Sequence, residues 1–555
     1  MSSLRPPGLG PIVGHTTDTT CRLWIRAGDP EDAGSKLAPD RRTVGVVTVL
    51  ERDGQPLDDD APIFYFRLHR EFDRTGTFNL GADAGLGARP EDKPYELAPD
   101  TAYGVCMGTL TIDDPLDDDE TLESHDLRAK LPDPTVWRED FAALVERHED
   151  RAVARFRTFP ADPGTAAENL SFLLGSCRYP GILWKVKRAD RIFGPMCAQA
   201  LNEDDAKRPR LVLMAGDQIY ADMFSRALPI GLADTFEEFQ ERYVAAFGSR
   251  NMRKLLRHVP TYMILDDHEI EDNWSRDRLK KRRKRTLFNI AINAYMSYQW
   301  SHGPRTFGRR LHYEFVAAGF PFFVLDTRTQ RIKGETDDIT DNHMLGRPLP
   351  DPDEPGQLRR LLDWLERQQV ERGDVPKFIV SSNVFAPNAM ADRTGRANQG
   401  SLERSDSWPA FPETRTALLE CLVAHGIQNV VFLSGDIHCS NVAEITFAGS
   451  DAAAKLRAFG VTSSAFYWPF PFADGEPSDF VHDSRAKGQE DTFAFGDGLS
   501  MDYEACNFTQ LDNFCRLEVD RANHEILVQV FDDDGEPIER ANGEPMTHRL
   551  ELAEW

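Results

Sequence analysis

Three short apolar runs, each ending in acid or imidazole, constrain this chain more than any other feature: LVLMAGDQIY at 211–220, YMILDDHE at 262–269 and VVFLSGDIH at 430–438. Such runs read as buried strands, and the carboxyl ends of buried strands are where open α/β sheets carry their chemistry. One such end means little. Three of them deliver Asp217, then Asp266, Asp267 and His268, then Asp436 and His438. Hard oxygen donors with imidazole beside them are the donor composition of a metal centre. Asp436 and His438 stand two residues apart, so in an extended segment both side chains project from one face.

A chain of 555 residues exceeds the usual size of one hydrophobic core, so two domains are expected. The balance of 65 basic against 91 acidic residues, a net charge of −26, argues against binding nucleic acid or anionic membrane through the overall field. Eight cysteines, at 21, 106, 177, 197, 421, 439, 506 and 515, show no CxxC spacing and are too sparse for a disulfide framework. Most are expected to be reduced and buried. The sequence has no apolar run long enough to span a membrane and no apolar signal segment at its start. The expected location is the cytoplasm; the alternative is a mature secreted form whose leader has been removed.

The segments TTCRLWIRA, RTVGVVTVL, IFYFRLHR, YGVCMGTLTI and VARFRTFP, with no helix expected between them, predict an antiparallel sandwich over residues 1–165. The acidic stretches LDDDAP at 57–62 and IDDPLDDDETLESHD at 112–126 read as solvated connectors, since they lack glycine-punctuated ligand spacing. Over 166–555 apolar strands alternate with amphipathic helices, among them TFEEFQERYVAAFG and PGQLRRLLDWLERQQVERG. In the second, Leu358, Leu361, Leu362, Leu365 and Gln369 fall on one face. The stretch 447–512, rich in Gly, Pro and aromatics, is expected to form loops ahead of two last strands, FCRLEVDRA and EILVQVFDDDG.

The chemistry such a centre suits is phosphoester hydrolysis. The ester's anionic oxygens repel a nucleophile, and paired metal ions about 3.5–4 Å apart both neutralise that charge and turn bound water into hydroxide near neutral pH. Asp217, in a glycine-preceded turn, is placed to bridge two ions, with Asp267 and Asp436 serving the second and His438 on the same face as Asp436. His268 can protonate the leaving oxygen or bond a phosphoryl oxygen, work typically worth about 10²–10⁴ in rate. Alone it would be read as an imidazole satisfied by a backbone carbonyl; its place between acids in LDDHE favours function.

Together, GSCR at 175–178, GDQIYAD at 216–222, LDDHEIEDNW at 265–274, LDTRTQR at 325–331 and SGDIH at 434–438 resemble the alkaline phosphatase D, or PhoD-like, family of metallophosphoesterases. The likeness covers most of the chain after residue 167, and GPIVGHTTDTTCRLWIRA resembles that family's N-terminal domain. The resemblance implies an immunoglobulin-like β-sandwich, residues 1–165, followed by an α/β metallophosphoesterase domain, residues 166–555, of two mixed β-sheets flanked by helices. It also implies Fe3+ beside Ca2+, with Cys177 and Tyr220 as iron ligands by matched motif; other divalent metals are the alternative. Without it, Cys177 reads as a core cysteine and Tyr220 as a packing residue. This sequence departs from the family in placing Leu265 where Trp commonly precedes the DDHE signature, and in lacking the twin-arginine leader of many secreted members.

Arg178, next to Cys177, is a candidate to hold phosphate, as are Arg328 and Arg331; a structural clamp on a carboxylate is the competing role. Asn273 and Asn383 are candidate amide ligands for calcium, against the commoner role of capping a turn. The basic run LKKRRKR at 279–285 reads as a solvated helix face, with attraction of a polyanion as the alternative. The aromatics Tyr467, Trp468, Phe470 and Phe472 either line the mouth of the site or cap a core. Hydrolysis of phosphomonoesters or phosphodiesters is thus the expected activity. The alternatives are a polyanion-directed phosphodiesterase or nuclease using residues 280–285, and a non-catalytic, metal-stabilised binding protein.

Overall fold

The computed structural model describes residues 3–555 apart from 29–40, 58–60, 87, 90, 116–129, 181–185, 203–207, 224–230, 309, 335–338, 350–354, 393–406 and 471–475. The three apolar runs form the strands Leu211–Met214, Thr261–Met263 and Val430–Ser434. They divide between two mixed sheets. In the six-stranded sheet, Leu211–Met214 runs parallel to Thr261–Met263 on one side and to Asn169–Gly175 on the other; Asn513–Asp520, Glu525–Asp532 and Thr547–Glu551 continue it antiparallel. In the eight-stranded sheet, Phe320–Val324, Lys377–Val380, Val430–Ser434 and Ala458–Thr462 are parallel neighbours.

Period-two alternation explains how these strands stay apolar throughout. Phe172, Leu174, Leu211 and Leu213 face Phe322, Phe378, Val431 and Leu433 in a core between the sheets, while Leu173, Val212 and Met214 face outwards. There they meet Phe239, Tyr243 and Phe247 of the helix Phe236–Phe247 and Tyr295 and Tyr298 of the helix Arg282–Tyr298. The opposite outer face, carrying Phe323, Ile379 and Phe432, is covered by the helices Gln357–Arg372 and Pro412–Ala424. Strands buried on both faces have no polar side to show, which is why the runs lack polar alternation.

Three expectations change. The helix Arg138–Ala152 stands between the N-terminal strands Ala102–Pro115 and Val153–Arg157, where none was expected; Phe141, Leu144 and Ala152 join that region's core, so a stripe among charged residues sufficed. Residues 447–512 are not loops throughout, for they also hold the strands Ala458–Thr462, Phe493–Phe495 and Leu499–Thr509. Leu499–Thr509 escaped notice because its buried Met501 and Tyr503 alternate with polar residues along a sheet half open to water. In Gln357–Arg372 the buried face is Gln357, Leu361, Trp364, Leu365 and Gln368, rotated towards Trp364 relative to the leucine stripe, with Leu358 and Leu362 partly buried.

The N-terminal strands form two antiparallel sheets. Leu9–Thr16, Cys21–Arg26 and Thr75–Leu80 make one; Arg41–Arg52, Ile63–Arg67, Ala102–Pro115 and Val153–Arg157 belong to the other. Leu23 and Phe78 of the first pack on Val47, Val105 and Met107 of the second. Of the two acidic stretches, residues 58–60 and 116–126 lie outside the described residues.

Candidate metal centre

Strand register sets the site. Met214 is opposite Gly175 on one side and Met263 on the other, so the segments holding Cys177, Asp217 and Asp267 leave the six-stranded sheet side by side. Leu433 is opposite Val380, and Ser434 opposite Thr462, which places Asn383, Asp436 and Ser464 at the matching end of the second sheet. Cross-sheet bonds hold the ends together: Ser176 Oγ donates to the Ser463 carbonyl at 2.9 Å, and Ser463 Oγ to the Leu174 carbonyl at 3.0 Å. Gly216 has φ +107°, and a Cβ there would lie 2.5 Å from Asp266 Cβ, so this turn admits only glycine.

One oxygen from each of Asp217, Asp266, Asp267 and Asp436 lies within 4.8 Å of the others; Cys177 and His438 gather about Asp217 within the same limit. Cys177 Sγ is 3.5 Å from Asp217 Oδ2, and Tyr220 OH is 3.3 Å from both Asp217 Oδ2 and His438 Nε2. The side chains expected from sequence at Cys177, Asp217, Tyr220, Asp267, Asp436 and His438 therefore meet. Burial pushes the Cys177 thiol up to about 12, and burial with the neighbouring Asp266, Cys177 and Asp267 holds the Asp217 carboxyl well above the carboxylate range. Tyr220 is raised likewise by burial and by Asp217. A multivalent cation reverses this logic by stabilising the deprotonated forms. The donor set fits one: the Arg328 guanidinium, which bonds Asp266 and lies 3.3 Å from Asp436 and 3.6 Å from Asp267, can balance only one of the gathered charges.

His268 stands beside the cluster. Its backbone N–H donates to Asp217 Oδ1 and Asp267 Oδ1 at 3.3 and 3.0 Å, and its Nδ1 is 2.7 Å from Asp222 Oδ1. Burial opposes its charge, but Asp222, Asp267 and Asp217 outweigh burial and lift it well above the ordinary imidazole value. Asp222, where burial would raise the carboxyl, is held low by the charge and hydrogen bond of His268. His438 goes the other way. Burial first, then the charge of His268, lower it to about 3, leaving a neutral ring stacked on Trp468 at 3.7 Å between centroids.

Arg178 is not turned to the carboxylates. Its guanidinium meets Ser249 Oγ at 3.4 Å and lies over the Phe193 ring, in the field of Asp190. Arg328 holds the place among the acids instead. Asn273 is exposed, with its amide on Asp272; what it gives the cluster is a backbone N–H bonded to Asp267 from a turn at φ 54°. Asn383 donates its amide to Asp436 at 2.9 Å while its carbonyl accepts from Arg331, so it steadies Asp436. In the basic run, Lys284 pairs with Glu271, and Lys281, Arg282, Arg283 and Arg285 are exposed. Tyr467, Trp468 and Phe470 pack with Tyr179 and Tyr220, lining the centre; Phe472 lies outside the described residues.

Two organising residues stood in quoted motifs without a role. Glu269, fully buried, accepts from the backbone N–H groups of Asp217, Gln218 and Asp266 and so clasps two of the strand ends together. Asp222 fixes His268. An acid closing each motif was the available signal. Ser464, whose Oγ is 3.2 Å from Cys177 Sγ, offered none.

Residues 193–472 match the family model described as PhoD-like phosphatase, a span holding every expected ligand except Cys177. Alkaline phosphatase D of Bacillus subtilis (strain 168) is 24% identical over 313 residues, covering 53% of this chain and 50% of that protein, so the match spans half the relative's length. A solved structure of PhoD superposes with a TM-score of 0.61 at 16% identity over 98% of this chain and 88% of that one, a likeness of fold. With a family model covering half its length, the chain belongs to the PhoD-like phosphatases.

Proposed function

We propose that this chain hydrolyses phosphoesters, monoesters or diesters, at a metal centre held by Cys177, Asp217, Tyr220, Asp267, Asp436 and His438. The observation that carries the reading is the convergence of buried carboxylates, a thiol, a phenol and a neutral imidazole from separate strand ends, around a single guanidinium. The thiol and phenol suit Fe3+ and the carboxylates suit Ca2+, with other divalent metals as the alternative. When bound, such cations neutralise phosphoryl oxygens and acidify a water.

The chain's own residues do the rest. His268, with Nδ1–H held by Asp222, keeps a second proton at Nε2 and gives it to the leaving oxygen. Arg328 spans three carboxylates and fixes their spacing, while Glu269 locks the loops that bear them. Trp468 stacks on the His438 ring, which burial and the charge of His268 keep neutral. The paired antiparallel sheets at the N-terminus support reading residues 1–165 as an immunoglobulin-like domain ahead of a catalytic domain at 166–555.

Turnover of a monoester and a diester by wild type and Asp217→Asn tests the reading. The variant is expected to lose at least about a hundredfold, since a metal centre is worth several kcal/mol to the transition state. Wild-type rates in the variant would refute it. A polyanion-directed activity would instead show steep salt dependence and fall on neutralising Lys281, Arg282, Arg283 and Arg285.

A further inference from the structure

Apart from these ligands, three side chains from three strands line up where the two large sheets meet. Cys506 lies on Leu499–Thr509 and Glu444 on Ser440–Ala448, both in the eight-stranded sheet; His548 lies on Thr547–Glu551, the edge strand of the six-stranded one. Cys506 Sγ is 3.4 Å from His548 Nδ1, and His548 Nε2 is 2.7 Å from Glu444 Oε1. Thiol and carboxylate thus occupy opposite nitrogens of one ring, an arrangement no single ion can gather. It is that of a nucleophile, its base and the acid that orients the base.

From this alignment we propose that Cys506 is a nucleophilic thiol, activated through its contact with His548 and Glu444, and a site of covalent modification by peroxides. The imidazole is raised to about 9, by its bond to Cys506 first and by Glu444 next, so at neutral pH it donates from both nitrogens. The surrounding charges leave that relay intact. Glu504, opposite Glu444 in register, is paired with Arg485 at 2.9 Å; Arg457 adds to the pull that keeps Glu444 ionised; and Arg540 is bonded to Asn507 and the Thr547 carbonyl. Cys506 is half-buried, and the His548 side chain beside it keeps 23% of its surface exposed. The other seven cysteines are buried, and burial pushes the thiols of Cys21, Cys421, Cys439 and Cys515 up to about 12.

The step balances. A sulfur lone pair attacks one peroxide oxygen, the S–O bond forms and the O–O bond breaks. The departing oxygen takes the proton held between Cys506 and His548 and leaves as water or alcohol. Sulfur is oxidised by two electrons to the sulfenic acid, and the peroxide is reduced by the same two.

Hydrogen peroxide with a sulfenic-acid trap, read by peptide mass spectrometry on the full chain at about pH 6, tests this. Cys506 is expected to be trapped ahead of the seven buried cysteines, and about tenfold more slowly in both His548→Gln and Glu444→Gln, because an imidazole held against the sulfur by a carboxylate assists the attack of that sulfur alone. Iodoacetamide rates should follow the same order, and Glu444→Gln keeps the test valid if His548→Gln does not fold. Equal rates in wild type and Glu444→Gln, or a Cys506 trapped no faster than the seven buried cysteines, would overturn the proposal.

Discussion

At the scale of single residues, the centre is made of side chains leaving their strands through strained backbone. Cys177, Asp217, Asp436 and His438 all have positive φ, at 57°, 57°, 73° and 51°. Such conformations cost about 1–3 kcal/mol each in non-glycine residues and persist where surrounding structure dictates them. Cys177→Ala should lose iron and its thiolate absorption band in metal analysis and visible spectroscopy; iron and band retained would remove Cys177 from the ligand set. Asp222→Asn removes the first of the carboxylates that raise His268, so the imidazole titrates lower and the alkaline limb of the pH–rate profile should move to lower pH. An unmoved limb would show that His268 is not the proton donor. The aspartates were legible in sequence because each ends an uninterrupted apolar run. Arg178 misled because adjacency to Cys177 says nothing about direction: its side chain turns to Ser249 and Phe193, and Arg328, distant in sequence, arrives from the other sheet.

At the scale of elements, strand register does the positioning. Gly216 is where it is most exposed to test. A methyl at φ +107° would be strained and would press on Asp266, so Gly216→Ala should lower stability by about 1–3 kcal/mol in denaturant titration and weaken metal retention in parallel. Unchanged stability would mean that the two strand ends are less tightly joined than Glu269 and Gly216 make them. The strands of the inner core were readable because both their faces are apolar. Leu499–Thr509 was not, and neither was Arg138–Ala152, whose burial is confined to Phe141, Leu144 and Ala152 among charged residues. A narrow stripe in a polar segment carries little periodicity, and tertiary partners decide such elements.

At the scale of the whole molecule, the N-terminal sheets are not a loose appendage. Leu9, Ile12 and Trp24 belong to the outer core of the six-stranded sheet, and the Trp24 indole N–H donates to the Ser297 carbonyl at 2.8 Å. Arg22 donates to the Gly303 carbonyl at 2.7 Å, and Tyr298 bonds Asp73. Trp24→Ala should therefore destabilise the molecule by about 3–5 kcal/mol in a single unfolding transition; two separate transitions in the wild type would contradict this coupling. Acid should act on the same joint. Burial lowers His15 to about 4 and His302 to about 3, below their unfolded value, so the unfolded chain binds protons the native one does not. Their contribution is fully present above about pH 6.5 and falls by about 1.4 kcal/mol per pH unit for each group as pH drops towards those values. Chemical denaturation between pH 7 and 4 reads that slope.

The account rests on the claim that the gathered side chains hold metal and that the metal makes them a phosphoesterase. Metal content and hydrolysis of one monoester and one diester, measured on the same preparation before chelation, after it and after metal is returned, test this most directly. The account predicts bound metal, turnover that disappears with it and turnover that comes back. Undiminished hydrolysis by metal-free protein, or fully metallated protein that hydrolyses neither ester, would contradict it.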